Sequence, residues 1–529
     1  MRLVIRVVAL AVVFSVAASL ALSAERMTVL DDRDWRGPGA VARSEGIERA
    51  VTPELLLKTE IKEPVFLFDP TDDETITAIT DFQGKLYLGS CTEPGLTKTG
   101  SVHTYDPETN EWQKVFRVND EGLLRLVVYG DCLYIPGHDA DDGGWDLGNI
   151  YVHNGKSWVE HRTVPRAIHE YGLAIYRGRI YVSADILDPA PPGMTLEEGG
   201  GEKKLIPLYG RVVSSGDGGV TWREEYRARR VGQDIGFMTV WRDKLIVNVK
   251  GDLVVFDGDH WRPLGLNPAA LVVLDYADAG DLLAMGTSLG LCFYDGQRFW
   301  RFPRQSPLHD HVRGVRRFGS QWVILVNSIP GATLRLGPGG FYPILKQGHR
   351  PFNSLMLVMS ERRFRELASE EGEHGPKDIS LVDVPEFIAS AHVFKGRLYI
   401  GTHPEGRVLV LPVVKEGTLD SVPRPVVNAG AYTLSWEAAT PSGTLCRLQA
   451  RTAPTREALE KRPFVGPDGT EASYFDVPSA ELRIAQPGFV QYRVLLKTEN
   501  PALTPYLKRI TLRSSMQESA LDPVQPSHR

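Results

Sequence analysis

Lys85-Leu86-Tyr87-Leu88-Gly89 is the stretch to which the chain keeps returning. Cys132-Leu133-Tyr134-Ile135-Pro136-Gly137, Arg179-Ile180-Tyr181-Val182-Ser183 and Arg397-Leu398-Tyr399-Ile400-Gly401 resemble it most. Lys244-Leu245-Ile246-Val247, Asp281-Leu282-Leu283-Ala284 and Gln321-Trp322-Val323-Ile324 follow the same plan. Each is a short β-rich run. Several start just after a turn such as Gln83-Gly84, Arg177-Gly178 or Lys395-Gly396. A second, partly apolar run precedes the turn, as in Ala78–Phe82 or Ala391–Phe394. The pattern specifies strand, tight turn, strand.

Seven copies occur, most of them roughly 37 to 47 residues apart, which is the period of propeller blades. The expected fold is all-β: a seven-bladed β-propeller followed by a smaller C-terminal β-sandwich. A chain of 529 residues exceeds one ordinary core and suits this pair. Hydrophobic residues make up 42%, enough for a sizeable core, and the formal charge is a mild −6. That balance offers no basic footprint for nucleic acid and no polybasic membrane anchor.

Arg2 and Arg6 precede an apolar run from Val7 to Leu22 that ends among Ala21, Ser23 and Ala24. This is the pattern of a cleaved secretory signal over 1–24, and the run falls short of the roughly 20 residues a spanning helix prefers. No other stretch is apolar enough to span a bilayer, so a secreted, periplasmic or cell-surface location is expected. Residues 25–49 are polar and read as a flexible leader. The propeller is placed at 50–415, the sandwich at 419–515 and a polar tail at 516–529. Closure of the last blade needs a strand from Glu54–Ile61 or Val65–Phe68. Cys91, Cys132, Cys292 and Cys446 read as buried small hydrophobes, not a disulfide framework.

Trp112, Trp158, Trp261 and Trp300 each follow a turn late in a blade and are expected to pack between blades. Two insertions are expected, at Leu187–Lys204 and at Gly348–Pro385, the second with a helix-compatible part at Ser360–Glu371. Blade three carries Ser215-Gly216-Asp217-Gly218-Gly219-Val220-Thr221-Trp222. This resembles the Asp-box turn of sialidase-type secreted propellers, where the motif is peripheral and structural. A sialidase also needs an arginine cluster for its substrate carboxylate and a Tyr nucleophile paired with an acid, and the sequence places no such set. After Val414 the repeat stops. Trp436, Gln491-Tyr492-Arg493 and Thr504-Pro505 give a layout similar to accessory β-sandwiches of exported bacterial proteins, several of which bind carbohydrate.

Propeller ligands meet the loops that lead into each innermost strand and those that follow each second strand. These loops hold His138, Asp139, Asp141, Asp142, Trp145 and Asp146, then His169, Glu170 and Tyr171. Asp234, His309, Asp310, His311, Arg313 and His403 complete the set. Three readings compete. Asp139, Asp141, Asp142 and Asp146 offer closely spaced oxygens for Ca²⁺. His138, His169, His309, His311 and His403 would hold a transition metal or serve as acid and base in a polysaccharide lyase or hydrolase, with Glu170 a further catalytic candidate. Trp145, Tyr171, Asp234 and Arg313 would form a platform for a sugar or peptide. No phosphate-binding Gly loop, nucleophile elbow or CxxC pair is present. The expected partner is a glycan or another extracellular polymer, with protein partners through the insertions as the alternative.

Overall fold

A computed structural model describes residues 28–514 apart from 37–38, 50–51, 71–74, 92–99, 141–146, 190–206, 231–234, 250, 267–270, 303–310, 329–333, 338–339, 344–352 and 370–377. The signal pattern, the polar tail and most of the insertion at Leu187–Lys204 therefore lie outside the described residues. Among them, no helix is long and apolar enough to cross a membrane. The chain divides into two compact units, Ile61–Pro412 and a second made of Met1–Glu60 with Val413–Arg529.

Ile61–Pro412 is the seven-bladed propeller. Its seven innermost strands begin with Thr75–Phe82 in blade 1. In blade 2 the innermost strand is split into Asp120–Leu123 and Val127–Tyr129. Ala167–Tyr176, Ile235–Trp241, Val273–Asp278, His311–Phe318 and Phe387–Phe394 serve blades 3 to 7. Hairpins follow most of them. Gln83-Gly84, Arg177-Gly178, Arg242-Asp243 and Lys395-Gly396 all have positive φ at both central residues. Such turns match the right-handed twist of the strands they join.

The last blade closes with a strand from the other end of the propeller unit. Val65–Phe68 pairs with Val408–Val410, with Phe68 opposite Val408. Phe68 then stacks on Tyr105 of blade 1, ring centroids 4.7 Å apart. Ser390 Oγ donates to the Ile76 carbonyl at 2.6 Å across the same seam. The repeated glycine of the second strands serves such seams. A Cβ on Gly401 would stand 2.7 Å from the Ile76 Cβ, and one on Gly286 would stand 2.5 Å from the Val312 carbonyl oxygen. The Trp residues also bridge blades: Trp158 stacks on Phe116 at 4.5 Å, and Trp261 lies 5.3 Å from Tyr226.

At the turn Ser215–Trp222, the Asp217 carboxylate accepts from the Thr221 hydroxyl (2.5 Å) and from the N–H groups of Thr221 (2.9 Å) and Val220 (3.1 Å). The Thr221 hydroxyl, and then its N–H, hold this carboxyl well below the usual carboxylate range. The turn is an outer hairpin, between Leu208–Ser215 and Arg223–Arg227.

The second unit is the β-sandwich. One sheet runs Thr28–Asp32, Tyr506–Ser514, Gly430–Ala439, Ser479–Ile484. The other contains Val41–Glu45, Glu416–Ser421, Gly488–Thr498, Arg424–Val426 and Thr444–Ala453. Leu434, Leu448, Val494 and Leu512 lie in the core between them.

Four sequence expectations are corrected. The leader at 25–49 is not loose: strands from 28 to 48 belong to the sandwich, and Trp35 is buried, donating from Nε1 to Tyr492 Oη at 3.0 Å. Its polar residues are edge-strand ion pairs, Asp31 with Arg509 and Asp32 with Arg424. Leu55 and Thr59, expected in the propeller, bridge to Leu507 and Val413 of the sandwich. The span Gly348–Pro385 is not an insertion. Asn353–Ser360 and Ile379–Val384 are the third and fourth strands of blade 6, and the helix Glu361–Ala368 follows the third. Cys132 is half-buried, whereas Cys91, Cys292 and Cys446 are buried, and none of the four forms a disulfide.

The close approach at Gly286 sets a test. Gly286→Ala is expected to cost about 1–3 kcal/mol, because the added methyl meets backbone that belongs to the next blade. Phe66, 56% exposed on the closing strand, should tolerate Phe66→Ala within about 0.5 kcal/mol. Guanidinium unfolding followed by tryptophan fluorescence compares the two. Equal losses contradict the packing described.

Candidate functional site

The innermost strands share an irregularity near their start. Pairing slips at Ile76/Ala78, Glu170/Gly172, Ile235/Met238, Val273/Asp275, Val312/Gly314 and Ile388/Ser390. In blade 2, Leu124–Leu126 interrupt the strand at the matching place. A bulge re-aims the unpaired residue out of the sheet's alternation. Here the slipped residues turn to the axis. Thr77, Arg125, Phe237, Leu274, Arg313 and Ala389, from six blades, line a single cavity of ≈ 50 Å³ in the central channel.

Asp275 and Arg316 also line it. Arg125 lies over the Phe237 ring at 3.6 Å and donates from Nη2 to the Leu274 carbonyl at 2.7 Å. Arg313 Nη2 donates to the Ala389 carbonyl at 2.6 Å. Arg316 donates from Nε to the Ala391 carbonyl at 2.9 Å and pairs through Nη1 with Asp275. Asp275 in turn accepts from the Val315 N–H at 2.9 Å. Burial holds the Arg125 guanidinium down to about 10, with Asp275 opposing the shift and the charges of Arg316 and Arg313 adding to it. Three guanidiniums against one carboxylate leave a formal charge of +2 on these lining side chains. The chemistry such a wall favours is capture of an oxyanion.

Two groups of the expected site residues come together. His138 and His169 pair across the ladder between blades 2 and 3, rings 4.8 Å apart and edge to face. The Tyr171 ring centroid lies 5.4 Å from His138 and 5.8 Å from His169. Tyr171 Oη donates to Asp185 Oδ2 at 3.1 Å, and His169 Nδ1 lies 3.4 Å from the same oxygen. Glu170 is buried instead, its carboxylate standing where a side chain at Gly148 would be.

The second group joins blades 6, 7 and 1. His403 Nδ1 pairs with Thr75 Oγ1 at 2.7 Å, and its ring lies 6.0 Å from Phe387. Burial, and then the charge of Arg313, lower its pKa to about 4. His311, half-buried, opens the innermost strand of blade 6. Asp141, Asp142, Trp145, Asp146, Asp234, His309, Asp310 and the side chain of Asp139 lie outside the described residues. Among the described residues, no three His, Cys, Asp or Glu side chains stand together as metal ligands.

Sequence reasoning named Arg313 but missed Arg125, Arg316, Asp275 and Phe237. It searched loops, whereas Asp275, Arg316 and Phe237 sit within strands and Arg125 sits in the break of one. A charged residue inside an otherwise buried inner strand was the signal. The arginines do gather in space, yet among the described residues the lining includes no tyrosine of the kind the sialidase resemblance requires.

No family model and no curated protein matches the chain. Among solved structures it is similar to the computationally designed Ika8 protein, with TM-score 0.38 and 10% identity over 66% of this chain and 99% of that one. The Neurospora crassa Pan2 WD40 domain gives TM-score 0.38 and 10% identity over 64% of this chain and 90% of that one. A nidogen/laminin complex gives 0.29 and 12% over 42% of this chain and 76% of that one. The propeller assignment rests on the strand pairing above, not on these similarities.

His403 sets a pH test. An unfolded histidine takes its proton near 6.5, but this one in the fold only near 4. Between those values the unfolded chain binds more protons, so stability is full above pH 6.5 and falls as pH drops toward 4. The loss should be of order 1–3 kcal/mol, and His403→Gln should remove it. Urea unfolding at several pH values reads both. A variant that keeps the full pH dependence contradicts the assignment.

Proposed function

We propose that the protein is an exported binding protein whose channel face receives an acidic extracellular polymer, foremost a glycan bearing carboxylate or sulfate groups. The observation that carries this reading is the convergence of Arg125, Arg313 and Arg316 on one axial cavity. Arginine clusters walled by apolar and aromatic groups favour anionic partners, and their bidentate forks suit planar carboxylates. The secretory pattern at 1–24 supports export. The partner is not nucleic acid on this reading, because the chain as a whole is acidic, at −6.

A second reading rests on His138, His169, Tyr171 and Asp185. An imidazole beside a phenol that is hydrogen-bonded to a carboxylate has the groups for proton transfer. On that reading the polymer is cleaved, by a lyase or hydrolase step.

Immobilised polyuronates, sulfated glycans and neutral glycans separate the possibilities. Acidic polymers should be retained and neutral ones not. Raising salt from about 50 to about 500 mM should weaken retention at least about tenfold, since screening shortens the reach of the charges. Equal retention of neutral polymers, or capture of a protein with no polymer bound, contradicts the binding reading. Release of shortened or unsaturated chains, lost in His169→Gln, would establish the enzymatic one.

A further inference from the structure

The outer hairpins of blades 2, 4 and 5 share one turn, opened by Asn154-Gly155, Asp257-Gly258 and Asp295-Gly296. Each turn ends the third strand of its blade. The first residue donates its N–H to the carbonyl three residues on, that of Ser157, His260 or Arg298. Its side-chain oxygen accepts the N–H groups two and three residues on, at 2.7–3.0 Å. The glycine that follows has φ of +88°, +109° or +101°. Blade 2 departs from the others in chemistry, not in geometry. Its turn holds a carboxamide where the others hold carboxylates, and His153 stands where they have Phe256 and Tyr294. The Gly155 N–H donates to His153 Nδ1 at 3.2 Å. Trp158 and Phe82, ring centroids 4.9 and 5.7 Å away and edge to face, hold the imidazole in place. Burial lowers its pKa, so the ring is neutral at pH 7 and Nδ1 accepts. Tyr87, 6.2 Å away, is a titratable neighbour, and burial pushes its phenol up, so it too is neutral there.

We propose that Asn154 is a self-modification site, converted by water to an aspartyl or isoaspartyl residue with His153 as the base. The Gly155 nitrogen attacks Asn154 Cγ. The N–Cγ bond forms as the N–H proton passes to His153 Nδ1, and Cγ takes the place of that hydrogen. Glycine has no Cβ to hinder the approach. The N–H groups of Lys156 and Ser157, each 3.0 Å from Oδ1, stabilise the charge that develops on this oxygen. The Cγ–Nδ2 bond then breaks, and ammonia leaves with the proton that His153 returns. Water adds to one carbonyl of the resulting succinimide ring and reopens it. The sum is loss of ammonia, gain of water and a mass gain of one dalton, with no change of oxidation state. Asn154 is exposed, so water reaches the ring. The aspartyl product fits the turn, because Asp257 and Asp295 hold the same turn with carboxylates. The isoaspartyl product lengthens the main chain by one methylene and breaks that match.

The test is peptide mass spectrometry of the full chain after incubation in warm neutral buffer, beside the same chain kept unfolded in urea. A fold that only restrains the turn slows the reaction. With His153 as base, the folded chain should convert Asn154 at least about threefold faster than the unfolded one. His153→Phe copies the arrangement at Phe256 and should bring the folded rate below the unfolded rate. The pH profile separates a base from a packing residue. Between about pH 7 and 8 the wild-type rate should stay level, because the imidazole is already neutral, whereas the variant should gain about tenfold as hydroxide takes over. Conversion in the folded wild type no faster than in the unfolded chain overturns the proposal. So does a folded variant that keeps the wild-type rate and level profile. If the variant fails to fold, the comparison of folded with unfolded wild type decides.

Discussion

At three of the blade seams a glycine on one side meets a strand irregularity on the other, and the placement of the channel side chains depends on such contacts. A Cβ at Gly89 would press on Leu123, the last residue before the break in the inner strand of blade 2. One at Gly286 would strike Val312, and one at Gly401 would strike Ile76, each beside the slip in its own strand. The glycine admits the neighbouring strand closely enough that one residue leaves the ladder. That residue then faces the axis. A strand irregularity repeated from blade to blade thus becomes a set of side chains gathered at the centre.

Electrostatics follows from this placement. Side chains from strands far apart in the chain share a small space walled by protein, where charges act on one another strongly. Asp275 answers Arg316, and the Arg313 charge helps keep His403 neutral near pH 7. The positive charge on the described cavity lining is carried by arginines. The ring cluster of His138, His169 and Tyr171 stands apart in character, organised around the Asp185 carboxylate.

Much of the fold was legible because the repeat imposes itself at every level. The Leu-Tyr-Leu-Gly motif marks buried second strands, and turn pairs such as Gln83-Gly84 and Lys395-Gly396 adopt the backbone their residue types favour. Val65–Phe68 was legible as one of two candidates for closure. The N-terminal strands were not, since Asp31 and Asp32 read as solvated until Arg509 and Arg424, hundreds of residues away, supply partners. Blade 6 was misread because long connections separate its second, third and fourth strands, which stretches the repeat past recognition. His138 and His169 could be aligned from the sequence, being loop-proximal. Arg125 could not, because its position depends on a slipped register that no local pattern announces.

The central claim is that slipped inner strands bring Arg125, Arg313 and Arg316 around one axial cavity. A crystal structure of the chain tests it directly. The account predicts the three guanidiniums at one cavity, beside Thr77, Phe237 and Ala389. Regular inner-strand pairing, with those arginines turned away from the axis, would contradict it.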